Sequence, residues 1–373
     1  MTLKPTASDA SPLPATSDAK ATNAELSRID QQLLKLLAQR CEIIRASKSI
    51  SPLPQASDAI DSTVTAIPKD KAAQWLRHAS SIAVADLHKN RVAYLGPEYS
   101  YSHLATIKAF GDSHPMSGVS TISAVFNSIV RGDAVHGVVP IENSTDGKVV
   151  DTFGMFIRVS VQICGEVLLP IHHNLLSRSD RVSITEVYSK PQALSQCRGW
   201  LADHLPKASL MEISSTTAAA ELAATKPGAA AIASVEAGRQ YALNVVDASI
   251  EDNPNNLTRF AILGKESAPP TGNDQTAILF QLDHRPGALA DAMVKFKDAG
   301  LNLTWIESFP VPGTSAEYFF FVATVGHVSD PKVAGVLDEL RKITTRLDVL
   351  GSYPKAIAID EGDVQSSVAS AKR

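Results

Sequence analysis

Clusters of hydroxyl, amide and acid side chains follow several apolar runs of the sequence, and binding or catalysis is expected there. The clearest cluster is Glu142-Asn143-Ser144, which ends the apolar run Val138–Ile141 and precedes Gly147. Related stretches are Gly96-Pro97-Glu98-Tyr99-Ser100-Tyr101-Ser102, Ser189-Lys190-Pro191-Gln192, Ser214-Ser215-Thr216-Thr217 and, ahead of an apolar run, Asp252-Asn253-Pro254-Asn255-Asn256-Leu257-Thr258-Arg259-Phe260. Each stretch alone could be an ordinary helix cap. Together, polar strand ends that open onto one cleft predict recognition of a small polyanionic metabolite, because helix N-termini with Ser and Thr donors bind carboxylates.

Strands and helices alternate between Arg91 and Gly264, and this alternation would bring the polar stretches together. Apolar runs predict strands at Val92–Leu95, Val138–Ile141, Val167–Ile171, Ala229–Ala233 and Phe260–Leu263. Helical spacing predicts helices at Ser102–Phe110, Ser123–Arg131, Lys148–Ile157, Gln192–Leu205 and Thr217–Ala224. The pattern indicates an α/β domain with a largely parallel sheet. At about 175 residues, it is large enough for two lobes that face a cleft.

The N-terminal part of the chain predicts two helices without a core of their own. Residues 1–21 are rich in Ser, Pro, Ala and Asp and are expected to form a disordered leader. Thr22-Asn23-Ala24-Glu25 fits a capping box and predicts a helix over residues 22–47 with an apolar face. The Ser- and Pro-rich residues 49–68 predict a loop. A second helix is predicted from Asp70 to Leu87, with one face formed by Trp75, Ala79, Ile82 and Ala83.

A boundary at Pro269-Pro270-Thr271-Gly272 separates a C-terminal domain with the element order βαββαβ. The predicted elements are strand Thr276–Asp283, helix Pro286–Ala299, strands Leu303–Phe309 and Glu317–Val325, helix Pro331–Ile343 and strand Arg346–Leu350. This order is the ferredoxin-like arrangement. Pro286 at the first helical position and Gly300 just past the last are the expected punctuation of the first helix. Residues 356–373 are expected to form a flexible tail.

Composition argues against several classes of function. A net charge of −4 gives no electrostatic reason to expect nucleic acid or a membrane surface as partner. Three scattered cysteines predict neither a disulfide framework nor a metal site, and His172-His173 lacks metal-ligand spacing. No glycine-rich nucleotide-binding motif follows a strand. The sequence has neither an apolar signal-peptide region nor a run of roughly 18 apolar residues, so a cytoplasmic protein is expected.

Six stretches in this order resemble the motifs of prephenate dehydratase. They are Gly96-Pro97 with Ser100-Tyr101-Ser102-His103, Pro140-Ile141-Glu142-Asn143-Ser144 with Gly147, Gly165-Glu166 with Ile171 and His173, Ser189 with Pro191-Gln192-Ala193-Leu194 and Gln196-Cys197, Ser215-Thr216, and Asn256 with Thr258-Arg259-Phe260. The resemblance implies a two-lobed catalytic domain like that of periplasmic binding proteins. It implies conversion of prephenate to phenylpyruvate with loss of water and CO2, and no cofactor, because aromatisation drives the reaction.

The same resemblance implies roles for individual residues. Thr258 is expected to assist departure of the ring hydroxyl, and Asn143 and Glu142 are further catalytic candidates. Threonine is a weak acid, so preorganised electrostatics must supply much of the effect. The candidates for holding the substrate are Ser100, Tyr101, Ser102, Ser144, Gln196, Ser215, Thr216, Thr217, Arg259 and Phe260.

The C-terminal domain resembles an ACT regulatory domain through Arg285–Leu289 and Asn302–Ser308. This implies feedback inhibition by L-phenylalanine bound at a dimer interface. The candidate effector residues are Gly287, Ala288, Leu289, Asn302, Leu303, Glu307 and Ser308. Phe309 stands where the ACT motif normally has Arg, which removes a rigid cationic donor and predicts an altered affinity. In the dehydratase part, Tyr99 stands where the family usually has glycine.

The first helix resembles the opening helix of chorismate mutase through Ile29-Asp30, Leu33-Leu34 and Leu36–Arg40. The layout is that of a bifunctional chorismate mutase/prephenate dehydratase, with a mutase-like segment at 22–90, a dehydratase domain at 91–266 and an ACT domain at 274–355. Only Arg40 falls on a mutase active-site position. Asn23 lies near a missing Arg, Ser51 replaces a Lys, and no third helix is predicted. Absent or weak mutase activity is therefore expected.

Two other functions stay open from the sequence. Arogenate dehydratase makes phenylalanine directly from a substrate that differs only in an amino group for a keto group. A non-enzymatic amino-acid sensor would have the same domains, since fold alone does not decide function. The occurrence of Thr258-Arg259-Phe260 together with Glu142-Asn143-Ser144 favours the enzyme. A homodimer or tetramer is expected because ACT domains pair and the first helix offers another surface.

Overall fold

The computed structural model describes residues 17–46, 67–85, 91–311 and 317–356. Its helices are α1 (Ser17–Ala46), α2 (Lys69–Val84), α3 (Tyr101–Phe110), α4 (Ile122–Arg131), α5 (Val150–Arg158), α6 (Pro191–Gln196), α7 (Arg198–His204), α8 (Thr216–Ala223), α9 (Val235–Gln240), α10 (Ala288–Asp298) and α11 (Pro331–Arg341). Its strands are β1 (Val92–Leu95), β2 (Met116–Val119), β3 (His136–Asn143), β4 (Gly147–Lys148), β5 (Gln162–Pro170), β6 (Asn174–Ser177), β7 (Glu186–Ser189), β8 (Ser209–Glu212), β9 (Ala229–Ala233), β10 (Asn244–Asp247), β11 (Leu257–Gly264), β12 (Asp274–Leu282), β13 (Leu303–Pro310), β14 (Tyr318–Val325) and β15 (Thr344–Pro354). Most of the predicted leader, loop and tail lies outside the described residues.

The chain divides into two compact units, of which the first contains α1 and the second contains all the other described elements. The predicted capping box at Thr22 is wrong, because α1 already begins at Ser17 and Thr22 lies inside it. Ala19 and Lys20 favour the helix, so it continues upstream of the predicted cap. Within the unit, the apolar side chains Leu26 and Ile29 are 53 % and 47 % exposed.

In the second unit, α2 packs against α3 with a face that differs from the predicted one. Ala79 and Ala83 are buried as predicted, but Trp75 and Ile82 are exposed, so that part of the predicted face is wrong. Small residues are favoured because α2 closely approaches the turn after α3. A Cβ on Gly111 would lie 2.6 Å from the nearest side-chain atom of α2.

Two mixed sheets form the two lobes of the α/β region. The strand order of the first sheet is β2-β1-β3-β11-β5, with β4 paired to β3, and that of the second is β10-β6-β9-β7-β8. The prediction of a largely parallel sheet is wrong. Pairs β1–β2 and β1–β3 are parallel, but β11 runs antiparallel to both β3 and β5. The chain leaves the first sheet after β5 to build the second sheet and returns on β11, so these two neighbouring strands must run in opposite directions.

Several element boundaries depart from the predicted ones for local reasons. The helix predicted from Lys148 begins instead at Val150, because Lys148 pairs with Glu142 in the β3–β4 hairpin. The helix predicted over Gln192–Leu205 is split at Cys197 into α6 and α7. In the C-terminal domain, α10 begins at Ala288 rather than Pro286. Gly287 precedes it with φ of 83°, a left-handed conformation that cannot belong to the helix.

The C-terminal domain has the predicted ferredoxin-like order, with an antiparallel sheet β13-β14-β12-β15. Helices α10 and α11 cover one face of this sheet, where Phe280, Phe296 and Leu340 are buried. The other face packs against the first sheet, and Phe153 of α5 contacts Phe321 edge-on at 4.6 Å between ring centroids. Strand β15 also abuts β5. The C-terminal domain therefore packs directly on the strands that end at the candidate site.

Candidate active site

The β3–β4 hairpin shapes the end of the Glu142-Asn143-Ser144 stretch. Asn143 pairs with Gly147, whose φ of 79° is a left-handed conformation that suits glycine. Asn143 Oδ1 accepts hydrogen bonds from the backbone N–H groups of Thr145 at 2.9 Å and Asp146 at 3.0 Å. Because backbone N–H groups can only donate, they identify the amide oxygen. The Asn143 amide nitrogen therefore points away from the turn.

Thr258 lies directly opposite Asn143 on the neighbouring strand β11. Asn143 Nδ2 donates to Thr258 Oγ1 at 2.7 Å and to Asn256 Oδ1 at 2.9 Å. Since the Thr258 oxygen accepts, its own proton is directed elsewhere, and no side chain or carbonyl of the described residues accepts it. A hydroxyl that is held from one side and keeps its proton free can donate to a leaving group.

Gln196 and His173 continue the Asn143–Thr258 pair into a hydrogen-bond network that joins the two lobes. Gln196 Oε1 accepts from Asn256 Nδ2 at 3.0 Å and lies 2.8 Å from His173 Nε2. Gln196 Nε2 donates to Asp146 Oδ2 at 2.8 Å. On the far side, His173 Nδ1 lies 3.0 Å from the hydroxyl of Tyr101. Five segments distant in sequence thus meet at one site.

The directions of the bonds from Asn143 to His173 follow from the two backbone donors at Asn143. Asn256 accepts from Asn143 through its oxygen, so its nitrogen faces Gln196 Oε1. That oxygen can only accept, so Nε2 of His173 carries a proton. Nδ1 of a neutral His173 is then an acceptor. The one proton of the Tyr101 hydroxyl has two acceptors within reach, this nitrogen at 3.0 Å and the His172 carbonyl at 2.8 Å. The tautomer of His173 is therefore set by Gln196.

Burial keeps the aromatic members of the network uncharged. Burial lowers the pKa of His173, and the hydrogen bond to Gln196 opposes this only in part. Burial, reinforced by the charge of Glu251, raises the pKa of the Tyr101 hydroxyl well above its ordinary value. Burial also raises the pKa of the Cys197 thiol, so this cysteine is not a nucleophile. The network thus positions its groups through hydrogen bonds of uncharged side chains, with the Asp146 carboxylate accepting from Gln196 at its edge.

Glu142 and Arg259 lie on the opposite face of the same strand pair. Successive side chains of a strand alternate between faces, so Arg259 points away from the face that carries Thr258. Arg259 Nε lies 3.3 Å from Glu142 Oε2, and Arg259 NH1 lies 3.4 Å from Glu166 Oε1. These three residues face the C-terminal domain, where Gln275 Nε2 donates to Glu166 Oε2 at 2.7 Å. The structure does not bring Glu142 and Arg259 to the Thr258 hydroxyl.

Two of the predicted serines cap helices at the cleft. Ser215 Oγ accepts from the backbone N–H of Ala218 at 3.0 Å, at the start of α8. Ser100 Oγ accepts from the backbone of His103 at 3.4 Å and donates to a carbonyl of β1 at 3.2 Å. In the first turn of α8, Thr217 Oγ1 is buried and has no hydrogen-bond partner among the described residues. This hydroxyl is therefore a candidate for binding a ligand.

The remaining predicted substrate residues support the surrounding structure. Ser144 Oγ accepts from the backbone N–H of Leu257 at 2.9 Å and so ties the hairpin to β11. Ser102 and Thr216 are buried in the first turns of their helices. Phe260 is 1 % exposed and packs in the core between the first sheet and α3.

Residues 92–268 match the family model described as prephenate dehydratase. A bifunctional chorismate mutase/prephenate dehydratase of Aquifex aeolicus is 37 % identical over 355 residues, which cover 91 % of this chain and 98 % of that protein. The chain belongs to the prephenate dehydratase family. It is therefore an enzyme, and the resemblance described from the sequence is confirmed.

Two solved structures share the fold. The prephenate dehydratase of Arthrobacter aurescens, solved in complex with L-Phe, is 29 % identical with a TM-score of 0.66 and covers 76 % of this chain and 98 % of its own. GqqA, described as a novel type of quorum quenching acylase, is 27 % identical with a TM-score of 0.66, covering 72 % of this chain and 98 % of its own. The predicted fold class is confirmed: a two-lobed prephenate dehydratase domain followed by an ACT domain.

The candidate effector residues of this prephenate dehydratase family member lie at both ends of α10. Gly287, Ala288 and Leu289 form its N-terminal end, while Asn302 and Leu303 follow its C-terminal end. A helix of 11 residues separates the two groups by about 16 Å along its axis. Glu307 and Ser308, at the far end of β13, instead contact the dehydratase domain. Lys148 Nζ donates to Glu307 Oε2 at 3.0 Å and to the Ser308 carbonyl at 2.8 Å.

Sequence reasoning missed the roles of His173, Asp146, Glu166 and Gln275. His173 and Glu166 belong to the quoted family motifs, so a signal existed for both although no role was assigned. Gln275 had none, because it lies in a strand whose pattern indicates only burial. Arg40, the mutase-like candidate, lies on α1. No group of metal-ligating side chains is present in the described part of the chain, and no helix there is long and apolar enough to span a membrane.

Proposed function

We propose that the enzyme converts prephenate to phenylpyruvate, with Thr258 donating a proton to the ring hydroxyl as it leaves. The hydroxyl departs as water, the bond to the ring carboxylate breaks to release CO2, and the electron pair of that bond completes the aromatic ring. The observation that carries this proposal is the bond from Asn143 Nδ2 to Thr258 Oγ1, which leaves the threonine proton free. The threonine is restored when it takes a proton from solvent.

Binding of the two substrate carboxylates belongs, in this proposal, to neutral donors on the Thr258 face. Thr217 Oγ1 is the strongest candidate because it is buried and unpartnered beside the N-terminus of α8. Helix N-termini favour anions. Arg259 is a weaker candidate for direct contact, because two carboxylates already hold its guanidinium on the other face. Glu142 acts there as its partner and not as a catalytic group.

Feedback inhibition by L-phenylalanine at the ACT domain of a homodimer is the proposed regulation. It is supported by the relative from Arthrobacter aurescens, whose structure contains L-Phe. The length of α10 also supports it. A free amino acid is too short to touch both Gly287–Leu289 and Asn302–Leu303 of one chain, but two chains can present one group each. Phe309, in place of the usual Arg, predicts weaker inhibition.

We also propose the domain limits 22–90, 91–266 and 274–355, and a cytoplasmic location. The three cysteines are free, which fits a reducing compartment. Mutase activity is proposed to be weak or absent because Arg40 is the only cationic residue at a mutase active-site position.

The experiment is phenylpyruvate formation by the purified full chain from prephenate, with arogenate and chorismate given in parallel, each with and without L-phenylalanine. Turnover of prephenate that L-phenylalanine suppresses is expected. Phenylalanine formed from arogenate at a higher kcat/KM would favour arogenate dehydratase. Tight prephenate binding without turnover would favour a non-enzymatic amino-acid sensor. Rapid consumption of chorismate would show that the chain has mutase activity.

The acylase activity of the structural relative is not favoured by the site. Hydrolysis of an amide needs an activated nucleophile, and a hydroxyl is activated by an adjacent base. Here the Thr258 oxygen contacts an amide nitrogen rather than His173, whose Nδ1 contacts Tyr101.

A further inference from the structure

A chain of buried polar contacts connects the strand that carries Thr258 with the ACT domain. Arg259 follows Thr258 on β11, and its guanidinium lies against Glu166 of β5. Glu166 accepts a hydrogen bond of 2.7 Å from Gln275 Nε2, which comes from β12 of the ACT domain. Gln275 is only 2 % exposed. A residue of one domain therefore completes a charged cluster of the other.

The Gln275 amide is held at both ends, which fixes its orientation. The Glu166 carboxylate can only accept, so the amide nitrogen of Gln275 faces it. The amide oxygen then lies 3.3 Å from the hydroxyl of Thr304 on β13, which is equally close to the Ala323 carbonyl. Because a buried carboxylate is costly unless it is hydrogen-bonded and paired, Glu166 needs both Gln275 and Arg259. Arg259 is less completely satisfied. Its buried Nε has no hydrogen-bond partner in the described part of the chain, since Glu142 lies at ion-pair distance without an aligned bond.

We propose that Gln275 is a positioning residue for the dehydratase site: through Glu166 it holds Arg259 on the reverse face of β11 and thereby fixes the direction of the neighbouring Thr258 hydroxyl. Gln275 does not touch the substrate. It acts on turnover because small displacements of a reacting group, of about 1 Å, can lower rates about 100-fold. The ACT domain is then a structural part of the catalytic site even when no effector is bound.

The ionised form of Glu166 is the one that holds Arg259. Burial raises the pKa of this carboxyl, while the charge of Arg259 and the hydrogen bond from Gln275 lower it, and Glu142 raises it. The titratable and charged groups that face Glu166 are Arg259, Glu142, Lys355 and the buried phenol of Tyr353. Protonation of Glu166 releases the guanidinium, so kcat falls on the acid side of the profile. Removing the Gln275 donor raises the pKa of Glu166 further and moves this acid limb to higher pH.

The test is the pH dependence of kcat and KM for prephenate with Gln275→Met in the full chain. This inference rests on the proposed dehydratase activity, so wild-type turnover is measured first. If the wild-type enzyme does not turn over prephenate, the proposed dehydratase function is refuted, and the positioning role of Gln275 with it. If only the Gln275→Met result fails, the positioning role alone is refuted. The expected result for Gln275→Met is a kcat lowered about tenfold, a KM within about twofold of wild type, and an acid limb moved to higher pH.

Gln281→Met is the matched control, because Gln281 lies on the same strand and donates to Glu317 of its own domain at 2.9 Å. It should leave kcat, KM and the profile unchanged. Glu166→Gln is the second variant if Gln275→Met fails to fold. It removes the titrating group, so kcat should be low and the acid limb lost. A wild-type kcat in Gln275→Met, a lower kcat without a shifted limb, or an unchanged acid limb in Glu166→Gln would overturn the proposal.

Discussion

At the scale of residues, the site depends on hydrogen bonds whose direction is fixed. The backbone donors of Thr145 and Asp146 orient Asn143, and Asn143 then leaves the Thr258 hydroxyl as a donor. The fixed donor and acceptor directions continue through Asn256 and Gln196 to His173. A substitution that keeps the shape of Asn143 but replaces its donor nitrogen with an acceptor oxygen therefore distinguishes an effect on catalysis from an effect on packing.

Asn143→Asp is such a change. The new carboxylate can still accept from the hairpin backbone but cannot donate to Thr258, whose proton would turn toward it. We expect kcat for prephenate to fall about 100-fold, while the melting temperature stays within a few degrees. The control is Asn253→Asp, which makes the same substitution in the nearby loop, where Asn253 bonds to Thr145 and not to Thr258. Similar losses in both variants would contradict the role of Asn143.

At the scale of elements, the antiparallel pair β3–β11 forms a wall with two different faces. One face carries Asn143 and Thr258, and the other carries Glu142 and Arg259. On the reverse side, β15 of the ACT domain meets β5 so closely that only a glycine fits at the contact. A Cβ on Gly351 would lie 2.1 Å from the carbonyl oxygen of Ile163, and the φ of Gly351 is 141°.

Gly351→Ala is accordingly expected to lower the free energy of unfolding by about 3–5 kcal/mol, because a backbone atom cannot move aside as a side chain can. Gly335→Ala is the control. It lies inside α11 with no atom within 4 Å of the added Cβ, and should stabilise by about 0.5–1 kcal/mol. Equal melting temperatures for Gly351→Ala and wild type would show that β15 does not lie against β5 in solution.

The sequence predicted the strand ends, the two lobes and the ferredoxin-like order, because apolar runs and helical spacing are local signals. It did not predict that the side chains of Thr258 and Arg259 point to opposite faces of the β3–β11 strand pair. That arrangement depends on the partners of β11, which lie far away in the sequence. The split of the predicted helix at Cys197 was missed because helical spacing continues through this residue. The role of Gln275 could not be predicted, because a single buried amide in an apolar strand produces no periodic sequence pattern.

At the scale of the whole second unit, the catalytic face and the ACT domain share one pair of strands. The chain crosses between lobes through β5 and β11, and the ACT sheet packs behind both. Lys148 and Glu166 are two of the residues that make polar contacts between the two domains. Gln162 and Arg346 make others, with the carbonyls of Val349 at 3.2 Å and Ile157 at 3.0 Å. The contact through Glu166 therefore gives the proposed regulation a short route to Thr258, the residue that we propose as proton donor.

The most direct test of this account is the rate of phenylpyruvate formation from prephenate by wild type, Thr258→Val and Thr258→Ser under saturating substrate. Valine keeps the shape without the proton, so kcat should fall about 100- to 10,000-fold with KM little changed. Serine keeps the hydroxyl and should retain most of the activity. Thr258→Val with wild-type kcat would contradict the central claim that the Thr258 proton goes to the leaving hydroxyl.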